Sequence, residues 1–78
     1  MLYTPDLVAE LDILTRYRMG STQEGIKVHK DADPAIIAAV MRLHEKGLVT
    51  QGDGGYLTDM GHEAAEHAQA LFAILSST

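Results

Sequence analysis

The chain has 78 residues, near the lower limit at which one hydrophobic core sustains a fold, so a single domain over 1–78 is expected. Zero cysteines exclude disulfides and any thiolate metal or redox centre, and 46% apolar residues exclude a disordered chain; three Tyr, one Phe and no Trp leave the core to aliphatic residues and alanine. The formal charge of −5 is uneven, since residues 48–78 hold Asp53, Asp59, Glu63 and Glu66 against no Lys or Arg, so a polyanionic partner has to be met by a local patch and not by a long-range field.

In chain order, Thr4-Pro5-Asp6 has the form of a helix start: an N-cap hydroxyl, a proline at the first helical position and an acid in the first turn. Leu7, Leu11 and Leu14, flanked by Val8 and Tyr17, continue it at helical spacing over about 5–18, and Gly20 stops it. Ser21-Thr22-Gln23-Glu24 has the Ser-x-x-Glu pattern of a capping box and predicts a short second helix from near Thr22 to Lys30, although Gly25 and Val28 weaken it. Asp33 as N-cap and Pro34 as first residue start a third helix that reaches about Lys46, with Ile36, Val40 and Leu43 on one face and Gly47 closing it. Residues 48–51 and 56–58 flank Gly52-Asp53-Gly54-Gly55, which predicts a two-stranded hairpin. Thr58 then caps a last helix with an apolar stripe of Ala64, Ala65, Ala68, Leu71, Phe72 and Leu75, and residues 76–78 are expected to fray.

Helix, short helix, turn, helix, hairpin, helix is the element order of the winged helix-turn-helix fold: mainly α, a two-stranded β-wing, and a three-helix core plus a C-terminal helix. Two segments carry the resemblance. RLHEKGLVTQ (42–51) is similar to the end of the second motif helix and the first wing strand of many bacterial regulators, and GYLTDMGHEAAEH (55–67) is similar to their second wing strand and closing helix. The whole chain also resembles a family of bacterial proteins of about this length that are often labelled DNA-binding. The resemblance implies a transcription-regulator-like protein. Its matched positions, among them Leu43, Gly47, Leu48, Leu57 and Gly61, are scaffold positions and specify fold better than function.

In such proteins the second motif helix lies in the major groove. Here it would present Pro34, Ala35, Ala38, Arg42 and Glu45, of which Arg42 alone can make a bidentate contact to guanine. Any DNA contact is therefore expected to run mainly to the backbone, through Ser21, Thr22, Gln23, Lys27, Lys30 and Arg42, with Ala35 and Ala38 touching at most a thymine methyl. Six cations per chain fall short of the roughly 6 to 10 neutralised phosphates of strong salt-dependent binding once they are spread over several faces, so a homodimer is expected if DNA is bound. The rival expectation is a protein-interaction module on the same scaffold, dimerising through Ala68, Leu71, Phe72 and Leu75 of the last helix.

No catalytic constellation is found, and no cofactor, metal or membrane partner is expected; no effector ligand is named by any motif. HEAAEH (62–67) has Glu66 where a zinc-protease motif needs its second histidine, so two i,i+4 pairs, His62 with Glu66 and Glu63 with His67, are expected instead. The glycine-rich loop at 52–55 leads into a strand and lacks a P-loop lysine. With neither a signal-peptide layout nor an apolar run approaching ~20 residues, a soluble cytoplasmic protein is expected.

Overall fold

The computed structural model describes residues 2–17 and 25–77. Three helices and three strands follow one another as α1 (Pro5–Thr15), β1 (Ile26–Lys27), α2 (Pro34–Glu45), β2 (Val49–Gln51), β3 (Gly54–Leu57) and α3 (Asp59–Ser76). The chain is mainly helical, with a small antiparallel sheet in the order β1-β3-β2.

Each helix begins at the capping residue its sequence supplies. The hydroxyl of Thr4 accepts from the Leu7 amide, the carboxylate of Asp33 from the Ala35 amide, and the hydroxyl of Thr58 from the Gly61 amide, so each satisfies one of the orphan donors of a first turn. At the end of α2 the Gly47 amide donates to the His44 carbonyl and the Leu48 amide to the Leu43 carbonyl, a Schellman closure that turns the chain straight into β2. Thr58 joins the two ends, because its hydroxyl also donates to the Gly47 carbonyl at 2.6 Å and its amide to the Leu48 carbonyl at 3.0 Å. The last helix includes Ser76, whose hydroxyl donates back to the Phe72 carbonyl, so the helix outlasts its expected frayed end by one residue.

The second helix expected over Thr22–Lys30 is not found across its described part. Residues 25–33 form β1 and then turns, and the start of that helix, 21–24, lies outside the described residues. The alternation Ile26, Lys27, Val28, His29 explains the outcome: its period is two, so the half-buried Ile26 and Val28 share one side and the exposed Lys27 and His29 the other. The sheet therefore has three strands and not the two of the expected hairpin, with Ile26 opposite Gly55 and Lys27 opposite Gly54.

The hairpin turn is shorter than expected, because Gly54 and Gly55 belong to β3. Gln51 pairs with Gly54 while Val49 pairs with Leu57, so β3 carries one more residue than β2 between these two pairs. The bulge needs glycine: Gly54 and Gly55 have φ of 122° and 75°, and a Cβ on Gly54 would stand 2.7 Å from the Ile26 carbonyl oxygen. Thr50 fills the gap in the ladder by accepting the Tyr56 amide on its hydroxyl.

The core comprises Ile13, Leu14 and Tyr17 from the α1 side, Ala39, Val40 and Leu43 from α2, Val49 from β2, and Ala65 and Ala68 from α3. The buried face of α1 is thus Glu10, Ile13 and Leu14. This corrects the expected stripe: Leu7 and Val8 are exposed, and Leu11 is half-buried.

Candidate functional site

Three surfaces surround α1 and α2, and they divide the charged and apolar residues between them. The first is the seam between α1 and α2. Glu10 brings a carboxylate that is only 7% exposed; Arg42 donates to it through Nε at 2.9 Å, and Lys46 Nζ donates to its other oxygen. Arg42 also donates to the Asp6 carbonyl at 3.2 Å. Burial alone would push the Glu10 carboxyl up, but the hydrogen bonds and charges of Lys46 and Arg42 outweigh it and hold the group below the ordinary carboxylate value. The same contact with Glu10 raises Arg42 further.

This seam is where the structure places Arg42. The side chain expected to reach a base edge is turned toward α1 and held by Glu10, leaving Ala35, Ala38 and Glu45 as the exposed face of α2. Ser21, Thr22 and Gln23 lie outside the described residues.

The second surface is a cleft of about 380 Å³ between β1, the chain that follows it, α2 and the hairpin turn. Val28, Ile37, Val40 and Met41 line it with Lys27, His29 and Lys30, and the turn residues Gly52 and Asp53 close one side. The Val28 amide donates to the Asp53 carbonyl at 2.8 Å and fixes that side to the chain after β1. The sequence identified Lys27 and Lys30, and Met41 beside Ile37 as a candidate apolar patch, but not that Val28 and Val40 join them in one cleft.

The third surface is a groove of about 250 Å³ between α1 and α3, lined by Val8, Leu11, Asp12 and Thr15 on one helix and Ala68, Leu71, Phe72 and Leu75 on the other. Of the four α3 residues expected at a dimer interface, Ala68 is buried within the subunit as the floor of the groove. The other three are open: Leu71 is 42% exposed, Phe72 63% and Leu75 74%, with Val8 at 52% across the groove. Gly61, Ala65, Ala68, Phe72 and Leu75 recur at alternating steps of four and three, the spacing of a helix-packing seam. Its first three members are buried and its last two are not. Gln69 closes the buried part by donating through Nε2 to the Leu14 carbonyl at 3.2 Å and the Tyr17 carbonyl at 2.6 Å, which satisfies the end of α1.

Of the two histidine pairs expected in α3, His62 and Glu66 approach to 3.8 Å, whereas Glu63 and His67 form no ion pair within the described residues. Among those residues, no three His, Asp or Glu side chains are grouped to hold a metal ion, and no helix is long and apolar enough to cross a membrane.

Comparison with known families matches residues 1–76 to the model of a family of unknown function, DUF5669. No curated protein and no solved structure matches the chain.

Proposed function

We propose that this chain, which belongs to the DUF5669 family, is a non-catalytic binding module on a winged-helix-like scaffold that works as a pair, two copies meeting through the α1/α3 groove. The scaffold reading rests on the order β1-β3-β2, with α2 leading into the β2–β3 hairpin and α3 closing on α1. The observation that carries the pairing is the helix-packing seam of α3, which continues through Phe72 and Leu75 where its cover within the subunit is only partial.

The occupant of that seam is a second copy of this chain for two reasons. The exposed parts of Val8, Leu71, Phe72 and Leu75 amount to apolar surface on the order of 400 Å², within the size of the largest patches that monomers tolerate and near one side of a small, weak interface. Residues 68–78 also contain no Asp, Glu, Lys or Arg, and Asp12 on the α1 side of the groove is paired with Arg16, so two copies that each carry a charge of −5 can meet there with little net repulsion. Burying a Leu, Ile or Phe side chain contributes about 1.5–3 kcal/mol, so two or three per subunit offset the rigid-body cost and give micromolar association.

Light scattering over a range of concentrations tests this. A monomer–dimer transition in the wild-type chain that is lost in Leu75→Asp supports the pairing, and a wild-type chain that stays monomeric at high micromolar concentration ends it.

Duplex DNA, the partner expected from the sequence, keeps one observation in its favour: Lys27 and Lys30 lie exposed at one cleft. Arg42 and Lys46 are committed to Glu10, and Arg16 pairs with Asp12 at 2.7 Å. Binding to random duplex across a salt series decides this alternative, because phosphate contacts give a steep negative slope and a flat response removes them.

A further inference from the structure

The cleft between β1, α2 and the hairpin turn has no residue in common with the α1/α3 groove, and its chemistry is of another kind. Its volume of about 380 Å³ lies within the range of small-molecule sites, and its lining has their usual composition, an apolar floor with a few polar groups at the edge. Val40 at the base is buried, and Met41 stands about half exposed beside it, a flexible thioether that adapts to the shape of what it covers.

Charge is unevenly distributed around this floor. Lys27, His29 and Lys30 come from one stretch of chain, whereas among the described residues Asp53 on the turn is the one acid that lines the cleft. In an acidic chain such a concentration is local and specific: among the described Lys and Arg side chains, Arg16, Arg42 and Lys46 are spent on Asp12 and Glu10, and the other two, Lys27 and Lys30, both line this cleft. The Asp53 carbonyl is already used by the Val28 amide, so the turn offers a ligand a wall and no second anchoring group from that oxygen.

We propose that this cleft binds a small amphipathic anion, a monocarboxylate whose headgroup lies between Lys27 and Lys30 and whose apolar body of about eight carbons covers Val28, Ile37 and Met41. A cation of the same shape would meet the lysines instead of a counter-charge. An uncharged alcohol would keep the apolar contacts and lose the ion pairs. The two lysines are exposed, so the charge contribution is modest and screened by salt.

The test titrates the full-length, ¹⁵N-labelled chain with octanoate, 1-octanol and octylammonium, following amide shifts. Octanoate is expected to saturate with shifts concentrated at Lys27–Lys30, Met41 and Gly52–Asp53, and to bind at least about tenfold more tightly than octanol, with octylammonium weakest. The double variant Lys27→Gln/Lys30→Gln, altered only at exposed positions, keeps its melting temperature and loses that tenfold preference. Equal binding of octanol and octanoate overturns the proposal, as does a lack of saturation by about 10 mM. Shifts centred on Val8, Leu71 and Phe72 overturn it too, because they would mark adsorption to the apolar groove. A short DNA duplex that moves the same amides at lower concentration than octanoate assigns the face to nucleic acid instead. Self-association is read separately by light scattering, so failure of the pairing and failure of this cleft are distinguishable.

Discussion

The two halves of α3 are equally apolar along their seam and have opposite fates. From Gly61 to Ala68 the seam is made of small residues, and the helix comes close enough to its neighbours for Ala65 to be fully buried and for Gln69 to reach the carbonyls that end α1. From Leu71 to Leu75 the side chains are larger, and α1 covers them only in part, leaving Leu71 nearly half and Phe72 and Leu75 mostly exposed. A stripe therefore shows which way a helix wants to pack, whereas burial depends on whether a neighbour stands there. In this fold the small residues pack inside the subunit and the large ones face out.

The sharpest way to break the packed half is Gly61→Ala. A Cβ there would run into the backbone carbonyl of Leu48, which also receives the Thr58 amide, so neither partner can move away without unpicking the junction of α2, β2 and α3. A loss of at least about 3 kcal/mol is expected in urea unfolding, a large share of the roughly 4–12 kcal/mol that a domain of this size holds. A variant as stable as wild type would show that the close approach is not real.

The α1–α2 seam is the charged counterpart, and Glu10 is its centre. Glu10→Gln keeps the shape and removes the charge that Arg42 and Lys46 share, at an expected cost of about 2 kcal/mol. Its pH signature follows from a depressed folded value. The contribution is present above the ordinary carboxylate range and is lost as pH falls through the lower folded value, because the unfolded chain takes up the proton first. Acid titration of stability should therefore be shallower in Glu10→Gln than in wild type.

Tyr17 closes the core near β3 by donating its hydroxyl to the Gly55 carbonyl at 3.2 Å, and burial pushes that hydroxyl up to about 12. Here the folded state holds its proton more tightly than the unfolded one. Stability is full below about pH 10 and falls as pH rises from there toward about 12. Tyr17→Phe should cost about 1 kcal/mol at neutral pH and flatten that alkaline decline, as read by circular dichroism.

Much of this was legible in the residues. Thr4-Pro5, Asp33-Pro34 and Thr58 placed three helix starts because capping is local chemistry. The hairpin was visible from its glycines, though its register was not, since Gly54 and Gly55 serve both the bulge against β2 and the close approach of β1, and the second depends on a strand about 28 residues earlier in the chain. That strand was hidden by a capping-box pattern at Ser21 that outweighed the two-residue alternation after Gly25. The partner of Arg42 was hidden for a related reason. Position on a helix wheel says that a side chain lies at the edge of the core but not that Glu10, on another helix, will take it. Glu10 itself left a trace in the sequence, an acid standing between Leu7, Leu11 and Leu14 on a face that was expected to be apolar.

The smallest expected effect on stability is the most informative about the open half. Leu75 is 74% exposed, so replacing it removes little intramolecular packing. Leu75→Asp sets an acid in the last turns of α3, where the helix dipole disfavours it, and the expected loss in subunit stability is about 0.5 kcal/mol. Leu75→Lys reverses that dipole term and should be neutral or slightly stabilising. Both variants put an unpaired charge into the apolar, α3 side of the groove, and both should abolish pairing, because a second copy would have to desolvate that charge against apolar side chains. The two readouts move independently, with opposite signs in stability and the same sign in association. If Leu75→Asp unfolds the chain at concentrations where wild type is monomeric, then the last turns of α3 are packed within the subunit after all, and the distinction between its two halves fails.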